Sequence, residues 1–212
     1  GENLYWNFDK WMKQKESETG SIVSADGAIY AIRKRLYLPP ASAAVTDDFA
    51  ISTGVIEQGY RLVFESDAFA FEEPMAAATK EFSRKVRIMN RGLRSVILRR
   101  KLLNPLQYGF YSVELFSHKV LRRLVPFFLL TAFVSNIFLY SFAIPYLISA
   151  LAQTGFYLLA GLGYVFRSHR VGKNKFFCVP FFYCLANAAA MTAVIRLLSG
   201  KRIELWQPQR HS

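Results

Sequence analysis

What limits this chain most is a long stretch without charge. From Leu124 to Phe166 it runs 43 residues with no Asp, Glu, Lys or Arg. A helix crosses the hydrocarbon of a bilayer in about 20 residues, so a run this long is two crossings joined by a tight turn. The turn is expected at Phe142 to Pro145. A loop with four positive charges, Arg167, Arg170, Lys173 and Lys175, follows, and Phe176 to Ile195 is a third apolar run of crossing length. The spans are expected near 124–142, 146–166 and 176–195, within a membrane region 124–199 that leaves 200–212 as a tail.

Basic residues before the first span and between the second and third place both segments on the cytoplasmic side of a cell membrane, inner or plasma. The tail opposes this. Arg196, Lys201, Arg202 and Arg210 fall outside if the third run crosses fully, so either the rule is broken there or one run is re-entrant or interfacial.

The remaining charge is unevenly distributed. Residues 1–83 hold 8 Lys/Arg against 13 Asp/Glu, residues 84–123 hold 11 against 1, and residues 167–212 hold 8 against 1. An acidic globular part, a basic collar 84–123 and a charge-free stretch describe a protein seated on a membrane. A nucleic-acid binder has no need of the third block, so nucleic acid is not expected as a partner, and membrane lipids are. Within the collar, Arg84, Arg87, Arg91 and Arg94 recur at helical spacing opposite Val86, Met89, Leu93 and Val96. That is a basic amphipathic helix over Glu81 to Lys101, of the kind that lies in the membrane interface. Asn104-Pro105 breaks it, and a second amphipathic stretch, Leu106 to Arg123, leads into the apolar run.

In the acidic part, Leu4 to Thr19 is patterned as a helix with Leu4, Phe8 and Trp11 on one side, stopped by Gly20. Its aromatics are expected first as core, with Tyr5 and Trp6 the alternative: flat apolar faces of the kind on which a sugar ring stacks. The small residues Ser24, Ala25, Gly27 and Ala28 leave room for something to approach the backbone, and Ile29 to Ile32 then enters a strand or short helix. Ala50 to Gln58 is expected as a helix stopped by Gly59, and Tyr60 to Phe64 alternates as a short strand does. Between them stands Thr46-Asp47-Asp48. Adjacent carboxylates repel, so a fold keeps them together at a cation, at a hydroxyl awaiting deprotonation, or in the first turn of a helix capped by Thr46 or Asp47; the last needs no function.

Cys178 and Cys184 face different directions on a helix and cannot pair. His118, His169 and His211 have no Cys or acid at ligand spacing, which gives a zinc site no support. The chain opens at Gly1-Glu2-Asn3-Leu4, already patterned like the inside of a domain, and the expectation is the downstream part of a longer protein.

In order, these segments resemble the second half of the processive family 2 glycosyltransferases, the membrane enzymes that include cellulose, hyaluronan and poly-N-acetylglucosamine synthases. Gly27 to Lys34, with Gly27, Ala28 and Arg33, is similar to the small-residue segment that borders the acceptor sugar. Thr46-Asp47-Asp48 is similar to the Thr-Glu-Asp or Gly-Asp-Asp motif whose last Asp is the catalytic base, here Asp48 with Asp47 supporting. Arg84-Lys85-Val86-Arg87-Ile88 stands where the family has Gln-x-x-Arg-Trp on an interfacial helix; Arg87 keeps the diphosphate-facing arginine, while Arg84 and Ile88 depart from the pattern.

The resemblance implies an α/β fold: the C-terminal, acceptor-side part of a GT-A-like domain over residues 1–83, then interfacial helices and a helical membrane region. It implies inverting transfer from a nucleotide sugar, a UDP-sugar, to a growing glycan or lipid-linked acceptor. Mg²⁺ or Mn²⁺ is implied in the complete enzyme, but the Asp-x-Asp that would bind it occurs nowhere in this chain. The rival expectation is a non-catalytic membrane remnant or partner subunit of a glycan-synthesis complex.

Overall fold

The computed structural model describes residues 2–40, 46–71 and 78–200. Six long helices carry it: α1 (Glu2–Thr19), α2 (Asp47–Glu57), α3 (Ala78–Leu98), α4 (Phe110–Leu139), α5 (Ile144–Val165) and α6 (Lys175–Leu198). Single turns sit at Lys34–Leu36, Arg100–Leu103, Pro105–Tyr108 and Val171–Lys173.

Among the described residues there is no strand, which corrects the expected α/β, GT-A-like architecture. The reason is visible at Tyr60 to Phe64. A strand needs a continuous ladder of main-chain partners, but here the Leu62 N–H donates to Ser21 Oγ at 2.9 Å and the Phe64 N–H to Ser17 Oγ at 2.6 Å. Hydroxyls from α1 and the turn after it take those ladder positions, and one main-chain bond, Ile22 N–H to Leu62 O at 3.1 Å, remains. Ile29 to Ile32 is likewise irregular and leads into the turn Lys34–Leu36.

α1 closes where the Gly20 N–H donates to Glu16 O at 2.9 Å. Its Phe8 and Trp11 are 57% and 56% exposed, so this aromatic side is not a core face. α2 ends at Gly59, whose φ of +81° is the left-handed conformation that stops helices. Nearly all of α2 beyond its first turn is buried, and Phe49 and Ile56 meet Val23, Val96, Leu102, Tyr111 and Leu115 in the main core. That core joins the acidic part to the collar and to the start of α4. The Tyr111 hydroxyl donates to Val23 O at 2.9 Å across it.

α3 ends at Leu98, short of the expected break at Asn104-Pro105, and the turn Arg100–Leu103 intervenes. Asn104 accepts from the Leu106 N–H at 3.1 Å and Pro105 stands in the first turn beyond. Its apolar stripe, however, is spent on protein. Val96 enters the main core, while Val86, with Phe82 and Met89, packs on Ala189 and Ala193 of α6. Asn90, fully buried on this face, donates to Ala193 O at 2.9 Å and accepts from Arg94 Nε at 2.9 Å.

Helices α4, α5 and α6 are each long and apolar enough to cross a membrane. α4 and α5 form a hairpin turned at 140–143, with Pro145 in the first turn of α5. Inside the hairpin, Asn136 donates to Ser149 Oγ at 2.8 Å, and Gln153 donates to Leu129 O at 3.0 Å and to the Tyr157 hydroxyl at 2.9 Å. Side-chain bonds of this kind join helices where lipid offers no hydrogen-bonding partner. α5 and α6 touch at Gly163, where a Cβ would stand 2.3 Å from Phe177 O. Cys178 and Cys184 are free thiols on α6.

Candidate functional site

Thr46 occupies the N-cap position of α2, so Asp47 and Asp48 lie in its first turn, where the helix dipole favours negative charge. The Thr46 side chain makes no capping bond. Instead α3 holds the start of α2: the Thr46 N–H donates to Ser95 Oγ at 3.2 Å, and Ser95 in turn donates to Arg91 O at 2.9 Å. Arg99, just beyond the end of α3, donates to Ala50 O at 3.0 Å and pairs with Glu57. Gly54 leaves room for this guanidinium, since a Cβ there would lie 3.3 Å from Arg99 Nη2.

The small-residue loop reaches the acid pair. The Ala25 N–H donates to Ser52 Oγ at 3.2 Å, tying the loop to α2. A Cβ on Gly27 would stand 3.4 Å from Asp48 Oδ2. Asp48 is partly buried, whereas the Asp47 side chain is 70% exposed and lies 4.0 Å from Arg91 Nη2. Ala28 and Arg33 are exposed on the same loop. The Tyr30 phenol is pushed above its ordinary value by burial and by the nearby Asp48, Tyr37 and Asp47.

Of the arginine stripe, Arg91 is the member at the acid pair. Arg87 stands one turn before it, partly buried, and Arg84 is exposed. The structure therefore gathers Gly27, Asp47 and Asp48, with Arg87 and Arg84 further along α3. The side chains of Tyr5 and Trp6 lie outside the described residues.

Several charged residues that pattern reading passed over gather around Lys119, which lies within electrostatic reach of Asp48. Lys13 pairs with Asp26 at 2.5 Å and with Asp9 at 2.7 Å. Burial works against its charge, but those two carboxylates raise its pKa overall. Glu16 is buried, with Oε1 3.2 Å from His118 Nδ1, and burial raises its pKa. From α4 come Lys119 and Arg123. Lys119 Nζ sits 5.3 Å from the centre of the Phe49 ring, within electrostatic reach of Asp48 and Asp26 on one side and of Arg123 and Lys13 on the other. Arg123 lies against α3, its Nη2 3.4 Å from where a Gly92 Cβ would be. Lys119 belongs to a π-helical stretch, Phe116–Leu121, a local widening that often marks functional sites and has no sequence signature.

Mg²⁺ and Mn²⁺ require several oxygen ligands converging on one point. Among the described residues no three His, Cys, Asp or Glu side chains do so. The residues present do not fit the expected cation, and no chemical step is assigned to it.

Compared with protein-family models, with curated proteins and with solved structures, the chain matches none.

Proposed function

We propose that this chain carries the acceptor side of an inverting sugar-transfer site, held at the cytoplasmic face of a multi-pass membrane protein. The supporting observation is the close approach of Gly27 to Asp48, where a Cβ on the glycine would lie 3.4 Å from Oδ2. An acceptor hydroxyl entering beside Gly27 gives its proton to the Asp48 carboxylate. Its oxygen attacks the anomeric carbon of a nucleotide sugar, preferably a UDP-sugar, as the bond from that carbon to the diphosphate oxygen breaks. Guanidinium groups on α3, Arg87 with Arg84 and Arg91, receive the departing charge. The acceptor is a growing glycan or a lipid-linked sugar.

In membranes from cells making the complete assembly, Asp48→Asn preserves shape and removes the proton acceptor. Transfer of labelled sugar is expected to fall by about 10²-fold or more. Turnover within a few-fold of normal rejects Asp48 as the base.

A second reading, a partner subunit that does not itself turn over substrate, is favoured by the lack of Asp-x-Asp in the sequence and of a cation-ligand set among the described residues. Residues 1–212 alone are expected to show no transfer and no metal-dependent preference for a uridine over an adenosine diphosphate sugar. Tight, Mn²⁺-dependent, uridine-selective binding in calorimetry would place the donor site within this chain and count against the subunit reading.

A further inference from the structure

Two buried cations keep hydrogen-bonding capacity in reserve: Lys119, in electrostatic reach of Asp48, and Arg123, which bonds the Lys119 carbonyl. An ammonium carries three donors and a guanidinium five. Among the described residues Lys119 Nζ makes no hydrogen bond and no ion pair, and it stands 5.3 Å from the centre of the Phe49 ring. Arg123 uses Nη1 on the carbonyls of His118 and Lys119, at 3.0 and 2.5 Å, the ones its own π-helical stretch presents. Its Nε is buried with no hydrogen-bond partner among the described residues. The two groups lie close enough to repel each other. Like charges brought together out of water, with donors unfilled, are costly unless an anion completes them.

The acids nearby do not complete them. Asp26 is engaged by Lys13 at 2.5 Å and Asp47 faces Arg91. Glu16 faces His118. Asp48 is in electrostatic reach of Lys119 without pairing with it. What suits this arrangement is a tetrahedral oxyanion with several acceptor oxygens, because such a group takes donors from both cations at once.

We propose that Lys119 and Arg123 form a pocket for the phosphate oxyanions of a ligand beside Asp48. This rests on the sugar-transfer reading only for the identity of the ligand, which that reading makes the diphosphate of the donor. A phospholipid headgroup offers the same chemistry from the membrane side, so the experiment separates the two sources.

The whole chain is placed in nanodiscs of neutral phosphatidylcholine and titrated with inorganic pyrophosphate in the calorimeter. Binding is expected without added metal, at least tenfold weaker in Lys119→Met and within threefold of normal in Lys119→Arg. A thermal scan guards against misfolding. Removing an uncompensated charge leaves the ligand-free Lys119→Met protein at least as stable as the parent, while pyrophosphate raises the melting temperature of the parent alone.

In discs containing phosphatidic acid, undiminished pyrophosphate binding assigns the pocket to a soluble diphosphate. Binding lost there, and kept in neutral discs, assigns it to a lipid headgroup. Equal binding by Lys119→Met and the parent, or no binding by the parent in either disc, overturns the pocket. Asp48→Asn separates this result from the fate of the catalytic reading: it removes a neighbouring negative charge, so pyrophosphate binding stays or tightens even as transfer is lost. If Asp48→Asn keeps transfer, the base assignment fails and the pocket stands.

Discussion

Arg99 is the residue whose removal should loosen the acid-bearing helix most. Its Nη2 bonds Ala50 O at 3.0 Å, its Nη1 pairs with Glu57, and burial holds its pKa below the usual value. Arg99→Met keeps the apolar stem and deletes both interactions. A hydrogen bond from a charged donor contributes about 1.5–3 kcal/mol. The ion pair, with side chains 21% and 26% exposed, is partly screened and adds up to about 1 kcal/mol. The loss of about 2–4 kcal/mol corresponds to a fall of about 5–15 °C in melting temperature for a chain of this size, read by intrinsic fluorescence on the whole protein in detergent. Gly54 supplies an internal check. Gly54→Ala pushes a Cβ to 3.3 Å from Arg99 Nη2 and should destabilise the parent, yet be neutral or better in the Arg99→Met background, where that atom is gone. A shift under about 2 °C for Arg99→Met, or an equal cost of Gly54→Ala in both backgrounds, would refute the idea that this guanidinium clasps α2.

Gly163→Ala is expected to cost about 1–3 kcal/mol by overpacking, because its Cβ would meet Phe177 O at 2.3 Å; a lower melting temperature in nanodiscs checks it. Glu16, whose folded pKa is raised by burial, binds its proton more tightly in the folded than in the unfolded chain. Its contribution is therefore full below the ordinary value of 4.5 and is lost as pH rises through the raised one. Melting temperature measured against pH should fall less steeply above 4.5 in Glu16→Gln than in the parent, and parallel curves would contradict this. For topology, with Cys178→Ala and Cys184→Ala as background, Ser141→Cys should be labelled from outside intact cells and Ser168→Cys should not; the reverse pattern inverts the orientation.

Periodicity made the helices legible where it was long. The arginine stripe of α3, the stop at Gly59 and the turn before Pro145 all follow from local chemistry. Tyr60 to Phe64 failed because alternation marks a segment able to pair, while pairing depends on what lies alongside, here Ser17 and Ser21. At the candidate site, the meeting of Gly27 with Asp48 was readable only through the order of motifs. Lys119 and Arg123 were not readable at all. They look like ordinary collar charges until a widened helical turn sets Lys119 within reach of the acids and the glycine at 92 lets Arg123 lie against α3.

The bond between Asn90 and Ala193 also sets a depth in the bilayer. A helix bearing Arg84, Arg87, Arg91 and Arg94 cannot sink into hydrocarbon, where each guanidinium would cost several kcal/mol. A carbonyl one hydrogen bond from its opposite face shares its level, so Ala193 stands near headgroups, on the surface that carries Asp47 and Asp48. Arg196, three positions on, emerges there too. If α4 and α5 each cross the bilayer, their hairpin returns the loop Arg167 to Lys175 to that same surface. In that arrangement α6, 24 residues and about 36 Å long, has both ends on one face and slants along the membrane rather than standing upright in it. The cation that follows the third apolar run thereby joins the others on the side where anionic lipids hold them.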